Sequence, residues 1–313
     1  MSVDQFAMVF PGQGSQKVGM LAEHHAAHAV FASTFEEASD ALGYDLWALI
    51  SEGPEDKLNL TENTQPALLT SSVALWRVWR QLGGKTPAYM AGHSLGEWSA
   101  LVCSNVISLA DAAKLVQLRG RYMQEAVPVG EGAMAAIIGL DDDKIIEICR
   151  QNEAHGVVSA VNFNAPGQVV IAGKKAAVDQ AASACKEAGA KRALPLPVSA
   201  PFHTSLMQPA AERLAEDMKA VNFADPEVLV VHNVTAQTEA SGAAIKDIMI
   251  EQIAAPVRWV ECVQTLVSHD VTQATECGPG KVLGGMIKRI DKSIACTALE
   301  TPDAMNTALV TAK

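Results

Sequence analysis

Ala88-Tyr-Met-Ala-Gly92-His93-Ser94-Leu95-Gly96-Glu97-Trp98 is the stretch from which the rest of the chain is read. The apolar run 88–91 predicts a short buried strand, and 97–106 predicts a helix. Between them, Gly92-x-Ser94-x-Gly96 has the spacing of a nucleophile elbow, a strand that turns sharply into a helix with serine at the apex. Such a turn crowds the positions two residues either side of the serine, where only glycine leaves room. The hydroxyl then stands clear at the strand's C-terminal end, and the N–H of Leu95, at the helix start, is available to an oxyanion. The pattern arises by chance in roughly one chain in ten of this length. Ser94 as a plain helix N-cap is therefore the competing reading.

Working outward, the apolar segment 6–10 predicts a first strand running into Pro11-Gly-Gln-Gly-Ser-Gln16. Ligands of open α/β sheets bind at such strand ends, so the loop is either a tight turn or the source of a backbone N–H donor near Gln13. Gly14 and Gly19 have P-loop separation, but Met20-Leu21 stand where Lys-Ser/Thr is required. Gly278-Pro-Gly280-Lys-Val-Leu-Gly284 has three residues, not two, before its last glycine, so a dinucleotide cofactor is not expected. The 313 residues are 49% hydrophobic and 19% charged, enough for one large domain or two smaller ones. A net charge of -11 argues against a nucleic-acid partner. Six scattered cysteines without C-x-x-C suit reduced thiols in a cytoplasmic protein. No apolar run approaches membrane-spanning length, and the first six residues lack the features of a secretory signal.

Helical periodicity covers 18–42, where His24 and His28 are read as a solvated face; no metal site is expected. Thr64-Gln65-Pro66 opens a second helix, with proline near its first position, that runs to Gln81. A long helix follows Ser108-Leu-Ala-Asp111, a capping-box spacing with Asp in place of Glu. On it Arg119 lies in the apolar stripe, one turn from Leu115 and Met123, whereas Arg121 falls on the polar side. An inward guanidinium is expensive unless it meets an anion. It is either a structural ion pair or a carboxylate clamp, for which planar bidentate geometry favours Arg.

From 131 the pattern is strand 133–138, helix 141–151, strand 157–162, strand 168–172, helix 174–188 and strand 192–198. That β-α-β-β-α-β order is ferredoxin-like and predicts a small domain, 131–198, inserted into a larger unit of 1–130 and 199–313. The larger unit continues with strands 228–231, 271–276 and 294–299 and helices 243–254, 258–268 and 282–290. The small domain ends in Pro197-Val-Ser-Ala-Pro201-Phe-His203, a loop stiffened by two prolines. Its histidine is either solvated or the base that Ser94 needs at neutral pH. A hydrolase triad would place an acid between serine and histidine. Asp111, Asp141, Asp142, Asp143 and Asp179 lie in that interval, all at helix starts or on exposed faces. A Ser94–His203 dyad, its imidazole held by backbone or amide oxygens, fits better.

Phe10-Pro-Gly-Gln-Gly-Ser-Gln16, Thr64-Gln-Pro-Ala67, Gly92-His-Ser-Leu-Gly-Glu97, Arg119, Ser199-Ala-Pro-Phe-His203 and Gly278-Pro-Gly-Lys-Val-Leu283, in this order along nearly the whole chain, resemble the malonyl-CoA:acyl-carrier-protein transacylases of bacterial fatty-acid synthesis. The resemblance implies a hydrolase-like α/β core with a mainly parallel sheet and an inserted ferredoxin-like domain. It implies Ser94 as the acylated nucleophile, His203 as general base and then acid, and the N–H groups of Gln13 and Leu95 as the oxyanion hole. Arg119 would pair with the malonyl carboxylate, with Phe202 and Gln65 also on the substrate side, and Gln252 would match the glutamine that orients the histidine. Malonyl-CoA and acyl carrier protein are the implied partners, with no cofactor, no metal, no nucleic acid and no membrane; a monomer is the working expectation. The carrier protein is acidic, so a local basic patch is required, for which Lys281, Lys288, Arg289 and Lys292 are candidates. A serine esterase or thioesterase shares the elbow, and a non-catalytic acyl-binding subunit is the third reading.

Overall fold

In the computed structural model, which describes residues 5–198 and 200–311, strand β1 (Gln5–Phe10) sits inside the larger of two sheets. Its side chains alternate between two cores: Met8 and Phe10 join one apolar cluster, Ala7 and Val9 the other. That is why a continuous apolar run suits it, since both faces of the sheet are covered. Residues 1–4, 312–313 and Ser199 of the histidine-loop motif lie outside the described residues.

The segment expected as one helix over 18–42 is two, α1 (Ala22–Ala27) and α2 (Ala29–Leu42), divided where His28 adopts extended backbone. His24 is not solvated. It is fully buried, stacks on Phe31 and places Nε2 2.9 Å from the carbonyl of Leu299. The i, i+4 pattern was blind to the chain's C-terminal segment, which covers this face. Two short helices, α3 (Leu46–Glu52) and α4 (Glu55–Leu58), precede α5 (Thr61–Gln81), which starts three residues earlier than expected and holds Pro66 inside it. The early start follows from Asn63 and Thr64, whose side chains donate to the carbonyls of Lys57 and Leu58 and tie α5 to α4.

Strand β2 (Tyr89–Gly92) leads through the elbow into α6 (Leu95–Cys103), and α7 (Leu109–Glu125) follows, capped by Ser108, whose Oγ accepts the Asp111 N–H. The next elements are β3 (Gly132–Ile138), α8 (Asp142–Gln151), β4 (Val158–Ala165), β5 (Gln168–Lys174), α9 (Lys175–Glu187) and β6 (Arg192–Pro195). Their strands form a separate antiparallel sheet in the order β4-β5-β3-β6. Its two faces again divide the side chains: Ala135, Ile137, Val169 and Ile171 pack with α8 and α9, while Met134, Val170 and Ala172 join the larger core. Backbone bonds between Val257 and both Val161 and Phe163 seam the two units together.

The chain then returns through α10 (Gln208–Met218), β7 (Leu229–Val231), β8 (Thr238–Glu239), α11 (Gly242–Glu251), α12 (Trp259–Ser268), β9 (Val271–Glu276), α13 (Val282–Ile290), β10 (Ala295–Ala298) and α14 (Pro302–Thr311). The large sheet has the order β10-β9-β1-β2-β7-β8 and is parallel except for the β7–β8 pair. The fold is thus mixed α/β, with a mainly parallel sheet and a second, antiparallel one. Among the described residues no helix is long and apolar enough to cross a membrane.

Candidate active site

Strands β1, β2 and β7 run in parallel register, with Phe10 opposite Gly92 and Ala91 opposite Val231. Their carboxyl ends therefore deliver three loops to one place: Pro11–Gln16, the elbow, and His232-Asn233. The elbow has the crowding its glycines predict. A Cβ on Gly92 would lie 2.0 Å from the carbonyl carbon of Gly96, and one on Gly96 would lie 2.0 Å from Phe10 O. Ser94 itself is held at φ 51 and ψ −107, a conformation costing about 1–3 kcal/mol. Asn233 offsets that strain by stitching the turn: its Oδ1 accepts the Ser94 N–H at 2.7 Å and its Nδ2 donates to Gly92 O at 2.7 Å.

His203 arrives from the loop between β6 and α10, also with positive φ, 61°. Its Nε2 lies 2.7 Å from Ser94 Oγ, and its Nδ1 faces the carbonyls of Gln252 and Ala255 at 3.0 and 3.1 Å. Two carbonyls on Nδ1 accept a proton there, which leaves the Nε2 lone pair for the serine hydroxyl. Burial, and then the Arg119 charge alongside, push the imidazole down to about 3 from its ordinary 6.5, so the ring is neutral at working pH. Among the described residues no carboxylate takes part. Asp111 accepts from the Ser108 hydroxyl in the first turn of α7, Asp141 caps α8 and Asp179 pairs with Lys175.

Arg119 points inward from α7 as its stripe predicts and is only 2% exposed. Its Nη1 donates to Gln65 Oε1 at 2.8 Å, and its Nη2 to Gln252 Oε1 at 3.0 Å and to Ser94 Oγ at 3.3 Å. Its Nε has no partner among the described residues, and burial draws the guanidinium down to about 10. Among the described residues every acceptor bonded to it is neutral, and the nearest carboxylate, Glu97, acts on it only across the Gln252 amide, so the site holds a guanidinium with no direct ion pair beside a hydroxyl. Such an arrangement favours an anionic ligand. Arg121, by contrast, is exposed and pairs with Glu62 at 2.8 Å.

Gln13, Gln65, Ser94, Leu95, Arg119 and His203 line one cavity of about 480 Å³. Phe202, Met123, Met134 and Leu196 supply apolar wall, Met134 from β3 and Leu196 from just after β6. Among the described residues no hydrogen bond engages the N–H of Leu95 or of Gln13. Gln252, at the C-cap of α11, contacts the histidine with its backbone carbonyl; its side chain instead bridges Arg119, Ser94 O and Glu97. His93 lies at the seam, with Nε2 2.7 Å from Asn164 Oδ1 of β4. Among the described residues no group of three or more His, Cys, Asp or Glu is placed to hold a metal ion.

The sequence reading assigned no role to Glu97, His232 and Asn233, which form a buried polar layer under the elbow. Glu97 did carry a signal. It is an acid on a helix whose neighbours Leu95, Trp98 and Leu101 are all apolar. His232-Asn233 follows a strand of the parallel sheet at its carboxyl end, where functional side chains collect.

Residues 7–284 match the family described as the acyl transferase domain. Proteins of Salmonella typhimurium and Escherichia coli K12, each named malonyl CoA-acyl carrier protein transacylase, are 58% identical over 305 residues, 97% of this chain and 99% of theirs. An acyl carrier protein S-malonyltransferase from Vibrio cholerae superposes with a TM-score of 0.96 at 54% identity, covering 97% of this chain and 100% of that one. A malonyl-transacylase solved in complex with its type II PKS acyl-carrier protein gives 0.97 at 54% identity, covering 98% and 100%.

Proposed function

This chain belongs to the acyl transferase domain family, among the malonyl CoA-acyl carrier protein transacylases, and from that premise we propose that it moves a malonyl group from malonyl-CoA to a carrier-protein thiol through a malonyl-serine. The observation that carries the proposal is the 2.7 Å contact between Ser94 Oγ and His203 Nε2 inside the cavity that also holds Arg119. Ser94 Oγ attacks the thioester carbonyl while Nε2 takes its proton. The carbonyl π electrons move onto oxygen, which meets the free N–H groups of Leu95 and Gln13. The oxyanion collapses, the C–S bond breaks, and the thiolate leaves with the imidazolium proton. The phosphopantetheine thiol of the carrier protein then repeats the sequence on the serine ester, which gives ping-pong kinetics. Arg119 receives the malonyl carboxylate, Gln65 holds the guanidinium, and Phe202 bounds the acyl pocket. No cofactor is required by these steps. The esterase alternative is not favoured, since relatives matched along nearly the whole chain carry transacylase names.

The fold is read in the same terms: 131–198 as a ferredoxin-like insertion and the remainder as a hydrolase-like unit. The strand order β4-β5-β3-β6 and the parallel order β10-β9-β1-β2-β7 support that division.

Lys281, Lys288, Arg289 and Lys292 are all exposed on or beside α13, and none forms an ion pair among the described residues, although Arg289 donates to the Gln168 side chain. They supply the basic patch an acidic carrier needs. Steady-state transfer with carrier protein as acceptor tests both parts. Malonyl-CoA turnover is expected to depend on the carrier. The Lys288→Glu, Arg289→Glu variant should raise KM for carrier roughly five- to tenfold and leave KM for malonyl-CoA unchanged. Turnover without a thiol acceptor would contradict transfer, and an unchanged carrier KM would contradict the patch.

A further inference from the structure

Glu97 touches neither His203 nor the cavity, yet it is a fully buried carboxylate three residues after Ser94. Three donors converge on it: His232 Nδ1 at 2.7 Å on Oε1, and on Oε2 the Asn233 N–H at 3.1 Å and Gln252 Nε2 at 2.7 Å. A carboxylate of this kind only accepts. Together with Ser94 O, which accepts from the same nitrogen, it fixes which way the Gln252 amide faces. The amide NH2 is drawn to Glu97, from where it also reaches Ser94 O at 3.0 Å, and the amide oxygen is turned onto Arg119 Nη2 at 3.0 Å. Among the described residues Arg119 has no other fixed acceptor on that side; its remaining contacts are Gln65 Oε1 and the reacting hydroxyl.

We propose that Glu97 is a positioning residue: by dictating the polarity of the Gln252 amide it aims the Arg119 guanidinium, and so sets part of the preference for a charged acyl group over a neutral one. The inference rests on the malonyl-transfer reading above. It names a buried acid, remote from substrate, as a determinant of acyl selectivity. The chain of bonds is directional. Replacing Glu97 by Met keeps the length but removes the charged acceptor, leaving the Gln252 NH2 with Ser94 O alone. The amide loses its charge-assisted anchor and no longer holds its oxygen firmly on the guanidinium. Arg119 then loses a fixed acceptor on that side. The histidine is spared, because His203 Nδ1 is held by the backbone carbonyls of Gln252 and Ala255.

The experiment compares kcat/KM for malonyl-CoA and acetyl-CoA in the wild type and in Glu97→Met, each alone and on an Arg119→Ala background. Loss of one hydrogen bond to a charged group should lower the malonyl-to-acetyl ratio roughly tenfold, mainly through KM for malonyl-CoA, with acetyl transfer within about twofold. On the Arg119→Ala background the same substitution should leave the ratio unchanged. A purely structural Glu97 predicts that both rates fall together, and that result, or a raised ratio, overturns the proposal. Should Glu97→Met not fold, Gln252→Met removes both amide contacts at similar bulk. It must lower the ratio likewise, and an unchanged ratio overturns the link. A wild type indifferent to malonyl over acetyl would instead sink the proposed function, whatever the variants do.

Discussion

His203→Ala is expected to slow formation of the acyl-enzyme by roughly a thousandfold, within the 10²–10⁴ that a positioned general base supplies. The serine hydroxyl keeps its place at the elbow but has no acceptor for its proton, since the other side chain on Ser94 Oγ is the donor Arg119. A companion effect follows from linkage. The ring sits at about 3 in the folded protein against 6.5 when free, so between those values the unfolded chain binds a proton that the native state refuses. Stability therefore falls as pH drops through that window. His203→Ala removes this contribution, and the melting temperature of the variant should decline less between pH 6.5 and 4 than that of the wild type. His24 and His93 are also held down by burial and are common to both proteins, so the difference isolates His203. Stopped-flow acylation and thermal melts check the two halves; unchanged acylation would remove His203 from the chemistry.

Arg119→Ala is expected to cut kcat/KM for malonyl-CoA by roughly 10²–10³, the scale for removing one partner of a desolvated charge pair. Transfer of a neutral acetyl group should hold or rise. Selection by charge explains the asymmetry: an uncharged acyl group gains nothing from a guanidinium whose present acceptors are all neutral. Competition between malonyl-CoA and acetyl-CoA reads the ratio directly. Equal losses on both substrates would mean that Arg119 merely supports Gln65 and Gln252, not the substrate.

The elbow and the Arg119 stripe were legible because each is a local pattern. Gly92-x-Ser94-x-Gly96 encodes a steric demand within five residues, and the inward face of α7 follows from helical period alone. The antiparallel small sheet was equally readable, since its apolar runs and turns are contiguous in sequence. What was not legible is the layer beneath the elbow. Glu97 meets Asn233 and Gln252 across 136 and 155 residues, the first brought under the elbow by the parallel pairing of β2 with β7 and the second by the end of α11. His24 was misjudged for the same reason, because the carbonyl that covers it lies 275 residues away. Gln252 was named through the resemblance alone; of the backbone or amide oxygens left open for the imidazole, it is the backbone carbonyl that meets Nδ1.

The most direct test is the intact mass of the protein after mixing with malonyl-CoA and no acceptor, with peptide fragmentation to locate any adduct. The account predicts one malonyl group on Ser94, discharged on adding carrier protein bearing a free phosphopantetheine thiol, and no adduct in Ser94→Ala. An unmodified wild type, or an adduct that persists in Ser94→Ala, would contradict it.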